Sequence, residues 1–178
     1  SPNFQIFSVM PSSPTTTKIL DYLLKFGTEY DKPIQLSVSM HNSDEEKRKS
    51  IMPHGHLMSF KEISEFGKEW SEKVNKRKIN LAFLLIENNE LDIKKIRDTF
   101  DPEYFIIRIA YYLPSSIETA KRHAASSDSR MGEVAKEVRA YGYTCIEARA
   151  GPVERIWDLR PYSGFKMLRY KDQLLTLR

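Results

Sequence analysis

Cysteine is almost absent from this sequence: Cys145 is the one thiol in 178 residues. A disulfide scaffold is excluded, and a cytoplasmic origin is expected. Thiolate-held iron–sulfur clusters need several cysteines, so this chain cannot build one from its own residues. Long apolar runs are also missing. No stretch approaches the roughly 18 residues of a membrane helix, so no membrane association is expected. The N-terminus, SPNFQIFSV, has no basic segment ahead of an apolar one and does not read as a signal peptide. Glycine is scarce, with seven in the chain, and none builds a phosphate-binding loop, which argues against a dinucleotide fold. Ser1 is not a methionine, and a strand pattern begins almost at once, so the chain reads as cut from a longer one.

What remains is an ordinary globular composition, 40% hydrophobic and 29% charged, long enough for one domain with a real core. A net charge of +4 favours RNA mildly and decides nothing alone. The most informative stretch is Ile34 to Pro53, IQLSVSMHNSDEEKRKSIMP. Ile34, Leu36, Val38 and Met40 alternate with Gln35, Ser37, Ser39 and His41, the period of a strand. Ser43 with Glu46 reads as a capping box, so a helix is expected from Asp44, with Lys47, Arg48 and Lys49 toward its negative end and Pro53 stopping it. Ser39, Met40, His41 and Asn42 then occupy the turn from strand to helix, where βα folds bind ligands.

The rest of the chain repeats the theme. Strands are expected at 5–9, 34–40, 79–86, 104–113 and 143–148, in that order in one parallel sheet. Helices are expected at 15–30, 60–75, 91–100 and from about 128 to 141. The first has an apolar stripe of Ile19, Leu20, Leu23, Leu24 and Gly27. The second opens on a capping box of Ser59 and Glu62. Gly142 is the expected stop of the last. Buried strands joined by helical crossovers mean an α/β fold with a parallel sheet. A closed eight-fold barrel takes about 250 residues, so five repeats make an open or partial barrel. Residues 1–152 form this partial βα barrel. Residues 153–178 form a basic, aromatic tail with Trp157, Tyr162, Phe165 and Tyr170.

Each candidate site has a plainer reading. Ser39 and Asn42 can serve only to cap and turn. His41 as a general base lacks a carboxylate partner that the sequence can place. His54 and His56 are two imidazoles without a third ligand, which reads as a loop. Cys145 lies inside a strand pattern, where a small core residue is expected before a nucleophile. Phe66, Trp70, Tyr111 and Tyr112 read as core or barrel lining. The tail's Arg and Lys can meet phosphate and its Trp and Tyr can stack on unpaired bases. It can equally pack across the barrel mouth.

The segment S-M-H-x(3)-D/E-x-x-R-x-x-I-M-P, from Ser39 to Pro53, resembles the S-L-H-A-x-N-D-x-x-R-x-x-x-x-P signature of the radical S-adenosylmethionine (SAM) methyltransferases that methylate adenine C2 in ribosomal and some transfer RNA. The order of segments around it fits from about the family's third strand onward. The resemblance implies a six-strand partial barrel whose first loop holds a [4Fe–4S] cluster through three cysteines. That cluster belongs only to the full-length parent. It implies S-adenosylmethionine as cofactor, bound by Ser8, Ser39, Met40 and His41, and cleaved in the parent to a 5′-deoxyadenosyl radical. QIFSVMP resembles the family's S-T-x-G strand, with Val9 and Met10 in place of Thr and Gly. LIENNE at 85–90 resembles the loop ending in Asn-Asp. RIAYYLPSS at 108–116 resembles the strand ending in P-x-N-P, with Leu113 where the family has a cofactor-binding Asn. ARAG at 148–151 resembles the segment before the methyl-carrying cysteine, and Asp158 stands about where that cysteine belongs. The departure at Asp158 implies chemistry other than two-cysteine methyl transfer.

Two readings follow. In the first, this is the C-terminal part of a radical SAM enzyme, a methyltransferase or oxidoreductase acting on RNA, contributing cofactor and substrate contacts and inactive alone. In the second, it is a non-catalytic βα domain that binds RNA or a protein partner through its basic tail. With earlier βα units missing, the strand at 5–9 is an uncovered edge, and Ile6, Leu36 and Val38 are expected to be partly exposed. A homodimer or aggregate through that edge is then expected.

Overall fold

The computed structural model describes residues 4–30, 34–52, 55–75, 77–87, 89, 91–112 and 128–148. Five strands lie among them: β1 (Phe4–Ser8), β2 (Ile34–Ser39), β3 (Ile79–Leu85), β4 (Phe105–Tyr111) and β5 (Cys145–Ala148). They form one sheet in chain order, β1-β2-β3-β4-β5, with every neighbouring pair parallel. This is the order and direction the alternation of buried strands and helices predicted.

The register separates two faces. Side chains on one face alternate Ile34, Leu36, Val38 in β2, Ile79, Leu81, Phe83 in β3 and Phe105, Ile107, Ile109 in β4, and all nine are buried. The helices cover this face. α1 (Pro14–Glu29), α3 (Phe60–Lys73), α4 (Ile93–Thr99) and α5 (Asp128–Ala140) carry its packing partners, with the short α2 (Glu45–Ile51) at the end of β2. Leu36 and Val38 are therefore fully buried under the helices rather than partly exposed, and only Ile6 on the edge strand is half-buried. Their register with Leu81 and Ile107 puts them on the helix-covered face, which is why they are buried. The other face holds Ser37, Ser39, Asn80, Ala82 and Arg108 and is mostly polar or small.

Helix packing explains several small residues. A Cβ on Gly67 of α3 would stand 2.0 Å from the Phe105 ring, so only glycine lets that ring lie against the helix. A Cβ on Gly27 of α1 would meet Val74 at 2.8 Å. The Ser59–Glu62 capping box forms in both directions. Gly142 ends the α5 segment with φ +87°. Three local expectations change. α1 buries Leu20, Leu24 and Gly27, whereas Ile19 is exposed. α2 is capped by Asp44, whose Oδ1 accepts from the N–H groups of Glu46 and Lys47. Ser43 is not the cap because its Oγ is engaged by the N–H of Asp92 from the next βα unit. Arg48, expected toward the negative end of α2 with Lys47 and Lys49, is fully buried.

No helix among the described residues is long and apolar enough to cross a membrane. His54, Pro53, Leu113, the 114–127 connection and the whole tail 153–178, with Trp157 and Asp158, lie outside the described residues.

Candidate functional site

Two backbone kinks stand side by side at the C-terminal ends of β1 and β2. Met10 has φ 52° and His41 has φ 59°, a left-handed conformation that L-residues avoid. Each follows its strand by two residues. Such geometry costs about 1–3 kcal/mol and persists only where the surroundings enforce it. At His41 the enforcement is visible. The Asn42 N–H donates to Met40 O at 2.8 Å, closing a three-residue γ-turn around His41. The N–H groups of Met40 and His41 both donate to Ala82 O, at 2.8 and 3.3 Å, which ties the turn to β3. His41 O accepts from Asn89 Nδ2 at 2.6 Å, and Asn89 Oδ1 accepts from Asn42 Nδ2. Asn42 Oδ1 in turn accepts from the Asp44 N–H at 2.8 Å. The loops after β2 and β3 are thus one hydrogen-bonded unit.

The His41 ring belongs to the same unit. Its Nδ1 accepts the Leu84 N–H at 3.3 Å, which leaves the ring proton on Nε2 in the neutral form. Burial, then the nearby Arg48 cation, push its pKa down from 6.5 to about 4. At neutral pH His41 is therefore an uncharged donor at Nε2.

Arg48 organises the floor. Its guanidinium donates to Val9 O at 2.8 Å, Met58 O at 2.9 Å and Ser39 O at 3.4 Å, and it lies 5.9 Å from the Phe60 ring centroid. One side chain therefore fixes the carbonyls just past β1, at the end of β2 and ahead of α3. The loop after β1 is pinned further by Met58 N–H to Met10 O at 2.9 Å and Ser12 N–H to His56 O at 2.8 Å. Glu45 Oε2 accepts the Phe60 N–H at 2.9 Å, closing the same ring of contacts.

The four sequence-predicted residues are placed as follows. Ser39, Met40 and His41 form the turn just described, with Ser39 half-buried on the concave face and Met40 fully buried. Ser8 stands on the neighbouring strand opposite Val38, on the helix-covered side, and its Oγ accepts the Met10 N–H at 2.9 Å. Ser8 thus shapes the first kink, while Ser39 and His41 face the mouth of the sheet. Arg48 and Asn89 were not singled out from sequence. The arginine sat inside the quoted segment and the asparagine inside LIENNE, so the spacing carried the signal and only the fold reveals the role. Cys145 is half-buried in β5, and burial pushes its thiol up to about 11, so it is a thiol and not a thiolate at neutral pH. Among the described residues no three His, Cys, Asp or Glu side chains converge as metal ligands.

No protein-family model and no curated protein matches this chain. Among solved structures the chain is similar to the crystal structure of a radical SAM methyltransferase from Sphaerobacter thermophilus, with a TM-score of 0.61 and 12% sequence identity. The similarity covers 84% of this chain and 41% of that one, so the chain spans well under half the length of the enzyme it resembles. Five parallel strands in sequential order, covered by helices on one face, thus form an α/β fold that fits a parallel-stranded partial βα barrel.

Proposed function

We propose that this chain is the C-terminal part of a cytoplasmic radical SAM enzyme related to the RNA adenine methyltransferases, and that its β1–β3 rim holds S-adenosylmethionine. The observation that carries this reading is the His41 turn. A positive φ, a γ-turn and a three-carbonyl arginine clamp are an unusual amount of constraint to place on one strand end, and they lie where βα folds bind ligands. The turn offers groups that suit the methionine end of the cofactor. The neutral His41 Nε2–H and the Ser39 hydroxyl are donors for a carboxylate. Met10 and Met40, both fully buried, give the strand ends an apolar floor. S-adenosylmethionine would supply the radical or methyl group, and these residues would bind and orient it.

The cluster does not fit the residues at hand. One half-buried, protonated cysteine cannot hold four irons. We therefore assign the cluster to other residues of a longer polypeptide, and activity to that polypeptide. RNA is taken as the substrate on the resemblance of the Ser39–Pro53 segment and on the positive net charge.

The test is binding of S-adenosylhomocysteine, an unreactive analogue, measured by calorimetry on the 178-residue chain. Wild type is expected to bind, and His41→Ala and Ser39→Ala to bind about tenfold more weakly or worse, as the loss of one good hydrogen bond to a charged group implies. Absence of binding, or binding indifferent to both substitutions, sinks the reading.

A further inference from the structure

Asn80, in the middle strand of the sheet, is only 4% exposed, and its Nδ2 donates to Ser37 Oγ at 3.2 Å, while Oδ1 has no hydrogen-bond partner. The Ser37 hydroxyl proton has no acceptor among the described residues either. Turning the amide does not remove the problem. Ser37 then donates to the amide oxygen, and the NH₂ group and a lone pair on Oγ are left over. In both arrangements the pair keeps one donor and one acceptor unused, side by side. Native proteins rarely leave buried polar groups in that state without a partner.

The register sets where this pair faces. Phe7, Ser37, Asn80 and Ile106 form one row from β1 to β4, on the face away from the helices. Ser39, Ala82 and Arg108 form the next row toward the strand ends. Two residues along a strand span about 7 Å, so the pair lies that far below Ser39 on the same concave face. Ser39 and Ala82, directly above it, are small. Phe7 flanks Ser37 with an aromatic ring. The Arg108 guanidinium lies 5.9 Å from the centroid of that ring, although β2 and β3 separate the two strands. The contact therefore crosses the face that Ser37 and Asn80 occupy. Phe7 and Arg108 are both partly exposed, so rotation of either side chain opens that crossing.

We propose that Ser37 and Asn80 recognise the substrate by pairing with a flat, neutral group that carries an N–H donor beside an acceptor, as the edge of an aminopurine or a primary carboxamide does. The inference rests on the cofactor reading to the extent that it calls this ligand the substrate. The match does not depend on which way the amide is turned, since the pair offers one donor and one acceptor in either case. The group is neutral because neither Ser37 nor Asn80 carries a charge. It is flat because the side chains above the pair are small and the Phe7 ring beside it gives a stacking face. Selectivity follows from burial: a ligand that lacks the donor leaves an amide or hydroxyl atom unpaired away from water. A group held at this depth lies beneath the turn of Ser39 and His41, so substrate and cofactor can be bound together.

The test is a titration of the ¹⁵N-labelled chain with adenosine in one series and nicotinamide in another, read at the side-chain NH₂ signals of Asn80. Saturable shifts there and at the Ser37 amide are expected in at least one series, and the better-binding probe names the group. N6,N6-dimethyladenosine and N,N-dimethylnicotinamide lack the N–H donor and should bind about tenfold more weakly than their parents. Asn80→Leu should weaken the better probe by a similar factor. No saturable shift in either series overturns the proposal, because a bound water then meets the needs of the pair. A dimethylated analogue that binds as well as its parent overturns it too, as does unchanged affinity in Asn80→Leu. If Asn80→Leu does not fold, the comparison of each parent with its analogue on the wild-type chain decides. A further arm uses S-adenosylhomocysteine. Its affinity should fall in His41→Ala and stay unchanged in Asn80→Leu. If Asn80→Leu releases it instead, the pair reads the cofactor's own adenine and the substrate assignment falls. If His41→Ala leaves it bound, the cofactor reading fails, while the Asn80 result stands on the adenosine and nicotinamide series.

Discussion

At the scale of single residues, His41 and Arg48 make opposite demands on the same small volume. His41 is held neutral because it is buried beside a cation. Its folded pKa lies below its unfolded one, so between pH 6.5 and about 4 the unfolded chain binds the extra proton and the folded chain does not. Stability should therefore fall as pH drops through that window, by about 3 kcal/mol in all, and the part due to His41 should vanish in His41→Gln. Urea midpoints of both proteins at pH 7, 5.5 and 4.5 measure it. A midpoint difference that does not change with pH would refute the assignment. Arg48→Ala leaves the carbonyls of Val9, Ser39 and Met58 without their donor and opens a space under Phe60. A loss of about 3–5 kcal/mol is expected, visible in the same urea titration. Both residues were in view in the sequence, and only the position of one of them was legible there. Ser39-Met40-His41 could be placed on a strand-to-helix turn from alternation and capping alone. Arg48 could not, because a basic residue near a helix C-terminus has an ordinary solvated explanation, and nothing local says that three carbonyls from distant segments converge on it.

At the scale of elements, the sequence was most legible where burial is periodic and least where one residue serves two segments. All five strands and their order follow from apolar runs alternating with capped helices. Ser43 shows the limit. The pattern Ser-x-x-Glu is a sound start signal, yet Asp44 next to it is an equally good cap and frees Ser43 to hold the Asp92 N–H of α4. Ile19 shows another, since the apolar stripe of α1 is wider than the face that packs, and its outer edge stays in water. Glycines separate cleanly by environment. Gly67→Ala forces a methyl into the Phe105 ring, which is itself fully buried between Phe100 and α3. A destabilisation of about 2–4 kcal/mol is expected. Gly132→Ala in α5 meets nothing within 4 Å and should stabilise by about 0.5–1 kcal/mol through helix propensity. Thermal denaturation of the pair checks both signs, and a neutral Gly67→Ala would mean α3 can shift away from β4.

At the scale of the whole molecule, β1 is an end strand of the sheet, and no strand among the described residues lies outside it. Phe4 and Phe7 are 55% and 45% exposed there, and Ile19 and Tyr22 of α1 and Tyr30 just past its end are exposed as well. Tyr22, Phe26 and Tyr30 stack on one another along the helix, with centroids 6.4 and 4.8 Å apart. We expect the isolated chain to cover this edge with a second copy. Sedimentation at tens of micromolar should show a dimer in wild type and a monomer in Phe4→Lys, because a charge on an edge strand discourages pairing. A monomeric wild type would mean the edge is covered otherwise. The sequential strand order has a consequence of its own. In this sheet each strand bonds only to the strands just before and after it in the chain, as beads on a string touch their neighbours. β3 alone sits two places from either margin. Opening such an array needs no threading of one segment past another, so it can peel from either margin and stop partway. Amide hydrogen exchange should record this as a slope, slowest at Leu81 and Phe83, faster in β2 and β4, and fastest in β1 and β5. A sheet that exchanged at one uniform rate would instead be a single cooperative block. If it peels, the strand ends that carry Met10 and His41 belong to the looser half, and anything that grips that rim will tighten the margin before it touches the centre.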